Sequence, residues 1–297
     1  MDIPYFVKSF AEALRRIIGL LAIAAALAGC SAVKLGYNNL DDIAYWWLDS
    51  YVDFSDEQST RVREDLTRLH AWHRAQELPP LIGVLRDMEQ LAPGDVTSAQ
   101  ACAVVQKVRE RLSAAADRAE PAAVTMAMGL TPEQLLHLQR KHEKNDAEFR
   151  KQWIRPPPGE QKEKRFDQFL ERSEMLYGKL EEVQRAAIRQ VVEQSAFDPG
   201  QALAERRRRQ QDILQTLKKL TASPLAMVDA RTLMRGLFER AQEPADPEAR
   251  RYQQALIDQG CRNMSTLHNS TTPAQRESAV RRLRAYQQDL RDLMARQ

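Results

Sequence analysis

From residue 39 onward, apolar side chains recur at steps of three and four, and no run alternates long enough to suggest a strand. The spacing predicts helices over 39–52, 56–77, 80–91, 97–119, 122–128, 132–152, 160–178, 181–195, 200–221, 224–241, 247–269 and 273–295. Proline lacks the backbone donor a helix needs. Breaks are therefore expected at Pro79-Pro80, Pro93-Gly94, Pro121, Pro156-Pro157-Pro158-Gly159, Pro199-Gly200, Pro224, Pro244 and Pro247. The fold class that follows is all-α, an elongated multi-helix bundle over 39–297. The triple proline marks a candidate subdivision near 153–160.

Three predicted helices open in the same way. Ser55 with Gln58, Thr131 with Gln134 and Thr272 with Gln275 each place a hydroxyl three residues before a glutamine. This is the capping box, in which side chain and backbone at the helix start satisfy each other's donors; Pro132 and Pro273 add a favoured first residue. The spacing resembles the L-T-x-x-Q signature of small periplasmic helical chaperones, although helix punctuation alone accounts for it.

The first predicted helix is unusually aromatic. In "YNNLDDIAYWWLDSYVDF", residues 37–54, Leu40, Ile43, Ala44, Trp47, Leu48 and Tyr51 fall on one stripe expected to face the core. Tyr45 and Trp46 lie on the flanks. Three fates stay open for them: cover by another helix, which the bundle favours, contact with a membrane, or contact with a partner.

The first 29 residues follow a different rule. Lys8, Arg15 and Arg16 precede the apolar run "IIGLLAIAAALAG", of about thirteen residues, which suits a secretory signal and is short for a membrane span. The run ends in Leu27-Ala28-Gly29-Cys30, which resembles a bacterial lipobox. That resemblance implies removal of 1–29, lipidation of Cys30 and a tether over 30–38. From Cys30 to Asn38 the tether spans at most ~28 Å when extended. Ser31 after the cysteine resembles an outer-membrane sorting signal rather than inner-membrane retention.

Composition narrows the chemistry. The 297 residues are 43% hydrophobic and 29% charged, with 11 glycines and a net charge of +3. That suits a helical core and gives no global argument for nucleic acid. With Cys30 given to lipid, Cys102 and Cys261 remain, an even pair that in an oxidising periplasm suggests a disulfide; two buried free thiols are the alternative. His70, His73 and Glu77 share a helix face, but no fourth ligand is apparent, and no metal or other cofactor is expected. Arg206, Arg207, Arg208 and Arg209 are weak candidates for contact with an anion, because four consecutive residues spread around a helix; pairing with Glu205 and Asp212 is the plainer reading. No G-x-S-x-G elbow is present, and no catalytic residue is named.

Together, "LAGCSAVKLGYNN", "WWLDSYVDFSDEQ", "WHRAQELP", "AERRRRQQDIL" and "HNSTTPAQR" resemble a proteobacterial lipoprotein family catalogued as a domain of unknown function. The resemblance runs over residues 27–297 and implies a lipobox, a helical body and two later cysteines. The expectation is a non-enzymatic binding or scaffolding lipoprotein, anchored by lipid in the inner leaflet of the outer membrane and facing the periplasm. Its partners would be the membrane and, further, an envelope protein or lipopolysaccharide. A periplasmic chaperone or envelope-stress factor is the alternative, and a hydrolase of envelope polymers is less favoured.

Overall fold

The computed structural model describes residues 33–222 and 225–295. The proposed signal peptide and Cys30 lie outside the described residues. Among those described there is no strand. Eleven helices follow one another: α1 (Leu40–Val52), α2 (Asp56–Trp72), α3 (Leu78–Leu91), α4 (Ser98–Met128), α5 (Pro132–Phe149), α6 (Pro158–Tyr177), α7 (Glu182–Glu193), α8 (Pro199–Ala222), α9 (Met227–Gln242), α10 (Pro247–Asn269) and α11 (Pro273–Ala295). The all-α expectation holds. The prolines, however, break the chain less often than their chemistry suggests.

Two π-helical turns explain part of the difference. His73–Glu77 carries α2 directly into α3, and Arg150–Ile154 extends α5. Each precedes a proline cluster, Pro79-Pro80 or Pro156-Pro157-Pro158. A widened turn bonds five residues back, as Leu78 N–H does to the His73 carbonyl, and so carries the chain across the missing donors. Pro121 forms no break at all. The helices predicted over 97–119 and 122–128 are one helix of 31 residues. An interior proline costs about 3 kcal/mol. Against it stand an alanine-rich sequence, the complete burial of Val124 and Ala127, and a bidentate ion pair from the neighbouring Glu120 to Arg231.

The bundle has two apolar centres. Val52 of α1, Val124 and Ala127 of α4, Leu135 and Leu138 of α5, Leu217 and Leu220 of α8, and Met234 and Leu237 of α9 form the first. Phe166 and Tyr177 of α6, Leu180, Ile188 and Val192 of the α6–α7 hairpin, Leu267 of α10 and Ala279 of α11 form the second. They are joined by α3 lying along α11 and α4 lying along α10.

Each centre is built on the same plan. In the first, hairpin α1–α2 meets hairpin α4–α5, with α1 on α5 and α2 on α4. In the second, hairpin α6–α7 meets hairpin α10–α11, with α6 on α11 and α7 on α10. The only positive-φ residues described, Asp53 (φ 59°) and Gly178 (φ 76°), lie in the first turn of each pair. Asp53 is a left-handed helix cap, a conformation that aspartate tolerates better than most side chains.

Candidate binding surfaces

The hairpin turns are fastened to one another by the capping boxes, twice over. Gln58 folds back to accept from the Ser55 N–H at 3.0 Å, while its amide donates to the Gly129 carbonyl of the opposing turn at 2.8 Å. Gln134 accepts from the Thr131 N–H at 3.0 Å and donates to the Asp53 carbonyl at 3.0 Å. The two amides also bond each other, at 2.6 Å. In the second half, Gln184 donates to the Ser270 carbonyl at 2.9 Å and Gln275 to the Lys179 carbonyl at 3.0 Å, with 3.2 Å between the amides. The Glu181–Gln184 box was not legible as such, because its cap is a glutamate rather than Ser or Thr. A further box, Thr97–Gln100, starts α4.

Beside the second interlock, His268 joins three segments. Its Nδ1 accepts from the Tyr177 hydroxyl at 2.9 Å, which leaves Nε2 to donate to the Gly94 carbonyl at 2.8 Å. Burial lowers the His268 pKa, and it pushes Tyr177 up to about 12. The arrangement is a neutral structural lock.

The expected disulfide is present. Cys102 of α4 and Cys261 of α10 are bonded, with Cα atoms 5.2 Å apart, and the link spans the two sides of the triple proline. Apolar residues at helical spacing near it are left open: Val105, Val108 and Leu112 on α4 are 38%, 39% and 66% exposed, and Met264 on α10 is 40% exposed. These side chains are incompletely covered by the helices around them. A small apolar cavity of about 170 Å³, lined by Val105, Val104, Leu176, Met264 and Leu283 among others, opens beside them.

The histidine face of α2 is occupied by the protein itself. The Tyr37 hydroxyl bonds His73 Nδ1 at 2.9 Å, His70 lies 3.5 Å from Asp41, and buried Glu77 faces Arg111 at 3.6 Å. Burial lowers both histidine pKa values and raises that of Tyr37 to about 12. Among the described residues, no group of three or more His, Cys, Asp or Glu side chains is placed to hold a metal ion.

The arginine run divides between two acids. Arg206 and Arg207 reach Asp146 at 3.3 and 2.9 Å, and Arg208 and Arg209 both reach Glu205 at 2.7 Å. Burial alone would raise the Asp146 pKa. Bonds from Gln210 and Arg207, with the charges of Arg207 and Arg206, hold it below the usual value. Asp212, expected to pair with the run, binds Arg240 of α9 instead at 2.9 Å. The cations thus meet carboxylates supplied from α5 as well as from their own helix. Arg206 and Arg209 edge a cleft of about 440 Å³ with Tyr51, Asn145 and His142, whose Nδ1 is buried without a hydrogen-bond partner.

Helix α1 is turned by about a quarter revolution from the predicted orientation. Tyr45 points inward at 6% exposure, its hydroxyl 2.9 Å from Ser59 Oγ and its ring under the Arg63 guanidinium. Trp47, Leu40 and Ile43, read as core, face outward with Trp46. The cause is the position of the neighbours. Helix α2 takes the Tyr45 side and α5 takes the Tyr51 side, where Asn145 bonds the Tyr51 hydroxyl at 2.9 Å. Tyr45 is therefore removed as a membrane or partner contact, and Trp46 is kept. The stretch expected to be an extended tether, 30–38, is not wholly extended. Residues 33–38 are helical, and Lys34 is fastened to Asp289 and Asp292 of α11.

Residues 50–234, more than half of the chain, match a family of unknown function, DUF6279. The chain belongs to that family. The DUF6279 match covers the first apolar centre except Leu237, the link through 153–160 and the second centre as far as α7. It stops short of the 27–297 span of the sequence resemblance, leaving α10 and α11 outside. No curated protein matches the chain, and no solved structure matches it.

Proposed function

We propose that this protein is a lipid-anchored envelope lipoprotein of proteobacterial type, facing the periplasm from the outer membrane, whose helical body binds or scaffolds a partner without catalysing a reaction. The observation that carries the binding role is the exposure of apolar side chains on the two disulfide-linked helices, Val105, Val108 and Leu112 of α4 and Met264 of α10. The acids and histidines support it too, since Asp146, Glu120 and His268 are engaged in contacts between separate segments, and Glu205 is paired within its own helix. The anchor rests on the Leu27-Ala28-Gly29-Cys30 sequence and its apolar leader. Palmitate labelling of cells making wild type or Cys30→Ala tests the anchor: label should be lost in the variant, and equal labelling contradicts the reading. A photo-crosslinker at Leu112 tests binding. It should yield one recurrent adduct in cells that the same group at exposed Glu182 does not, and adducts of equal pattern at both sites would count against a dedicated surface.

A periplasmic chaperone is the second reading, favoured by the same exposed apolar side chains and by the repeated capping glutamines. It requires that the purified protein suppress aggregation of an unfolded client at low molar ratio, which a light-scattering assay reads directly.

A further inference from the structure

The outward face of the N-terminal helical segment is almost without charge in a chain that is 29% charged. Its exposed residues from 33 to 50 are Val33, Leu35, Asn39, Leu40, Asp42, Ile43, Trp46, Trp47 and Ser50. The single carboxylate, Asp42, sits at the edge and is paired with Arg63 at 3.0 Å. Trp46 and Trp47 are 63% and 59% exposed, and Ile43 between their turns is 52% exposed. Exposed indoles beside aliphatic side chains suit the headgroup level of a bilayer, where the ring is apolar and its N–H still finds a polar partner. Position in the chain says what covers this face. Val33 is three residues from Cys30, so the start of the helix lies within ~11 Å of the anchoring residue. The segment does not swing freely, because Lys34 is held by Asp289 and Asp292, Asn38 by Arg74 and Tyr37 by His73.

We propose that this face, Leu40, Ile43, Trp46 and Trp47 together with Leu35 and Val33, rests on the phospholipid surface and fixes the orientation of the whole bundle to the membrane. The proposal builds on the lipid anchor at Cys30 and adds a second, non-covalent contact. A lipid chain alone would leave the body free to tumble. A helix lying in the interface holds α11 and α3 at a set angle, because α11 carries the acids that grip Lys34 and packs along α3.

The test uses the full-length processed chain in phosphatidylethanolamine–phosphatidylglycerol vesicles, with Trp72 and Trp153 changed to Phe so that emission comes from Trp46 and Trp47. Lipids brominated near the headgroup should quench the emission about twofold, and lipids brominated near the chain ends should quench it less. Mass spectrometry of the same sample reports acylation of Cys30. Acylated protein that sediments with vesicles yet shows unquenched indoles overturns the proposal. So does efficient disulfide crosslinking of Trp47→Cys between two molecules on the vesicles, which would make a second copy the occupant. Quenching without acylation supports the docking face while removing the anchor reading, so the two failures are distinguishable. Trp46→Ser with Trp47→Ser gives an independent check. Circular dichroism should be unchanged for these exposed positions, while limited proteolysis of α10 and α11 on vesicles should accelerate. Protection equal to wild type counts against the proposal.

Discussion

Replacing Gln184 by leucine is the sharpest perturbation of the paired-hairpin design. The side chain is 2% exposed and forms three contacts: it accepts from the Glu181 N–H at 2.7 Å and donates to the Ser270 carbonyl at 2.9 Å and to Gln275 Oε1 at 3.2 Å. At a net ~1 kcal/mol per buried bond, the loss is about 3 kcal/mol. The equivalent change at Gln58 removes bonds to Ser55, Gly129 and Gln134, but this glutamine is partly exposed and water can replace its partners. That change should cost about 1 kcal/mol. Urea unfolding followed by far-UV circular dichroism measures both, and the Gln184/Gln275 double-mutant cycle should show coupling of about 1 kcal/mol. A Gln184→Leu cost below about 0.5 kcal/mol, or additive effects in the cycle, would refute the claim that these amides fasten the hairpins.

Other outcomes follow from the same contacts. Cys102→Ser opens a loop of 159 residues and should lower stability by at most ~5 kcal/mol in chain-entropy terms; thiol alkylation of unreduced wild type should leave both cysteines unmodified. The buried His142 and His268 and the half-buried His70 and His73 have lowered pKa values, so the folded state binds fewer protons than the unfolded chain as pH falls through 6.5. Their contribution is complete above that pH and is lost below it, so thermal midpoints should drop from pH 7.5 to pH 5, with a smaller drop in His268→Gln. Arg231→Ala leaves the 2%-exposed Glu120 with only Arg235 at 3.4 Å, and should destabilise by about 2 kcal/mol in urea titration, where Arg231→Lys recovers part of the loss.

Element identity was legible in the sequence because helical spacing and capping boxes are local signals, and α1, α10 and α11 appear within a residue of their predicted bounds. The disulfide was legible from cysteine parity together with an expected oxidising compartment. The errors have a common origin in tertiary packing. Pro121 stays inside α4 because Val124, Ala127 and Glu120 are fixed by other helices, which the local sequence does not report. The orientation of α1 was misread because its apolar residues nearly encircle it. With Tyr45, Trp46 and Trp47 in sequence, periodicity offers several stripes, and the placement of α2 and α5 selects the one through Tyr45 and Val52. The partnering of Gln58 with Gln134 and of Gln184 with Gln275 is invisible in sequence, since each box reads as complete by itself. The repetition of the box was the available signal that hairpin turns with like chemistry would meet.

The central claim is that the helical body hangs from a lipid at Cys30 with the indole face of α1 against the bilayer. Intact mass and N-terminal peptide mapping of protein extracted from envelopes test it most directly. The account predicts a chain beginning at Cys30 and carrying acyl groups, whereas an unmodified Cys30, or a chain that still carries residues 1–29, would contradict it.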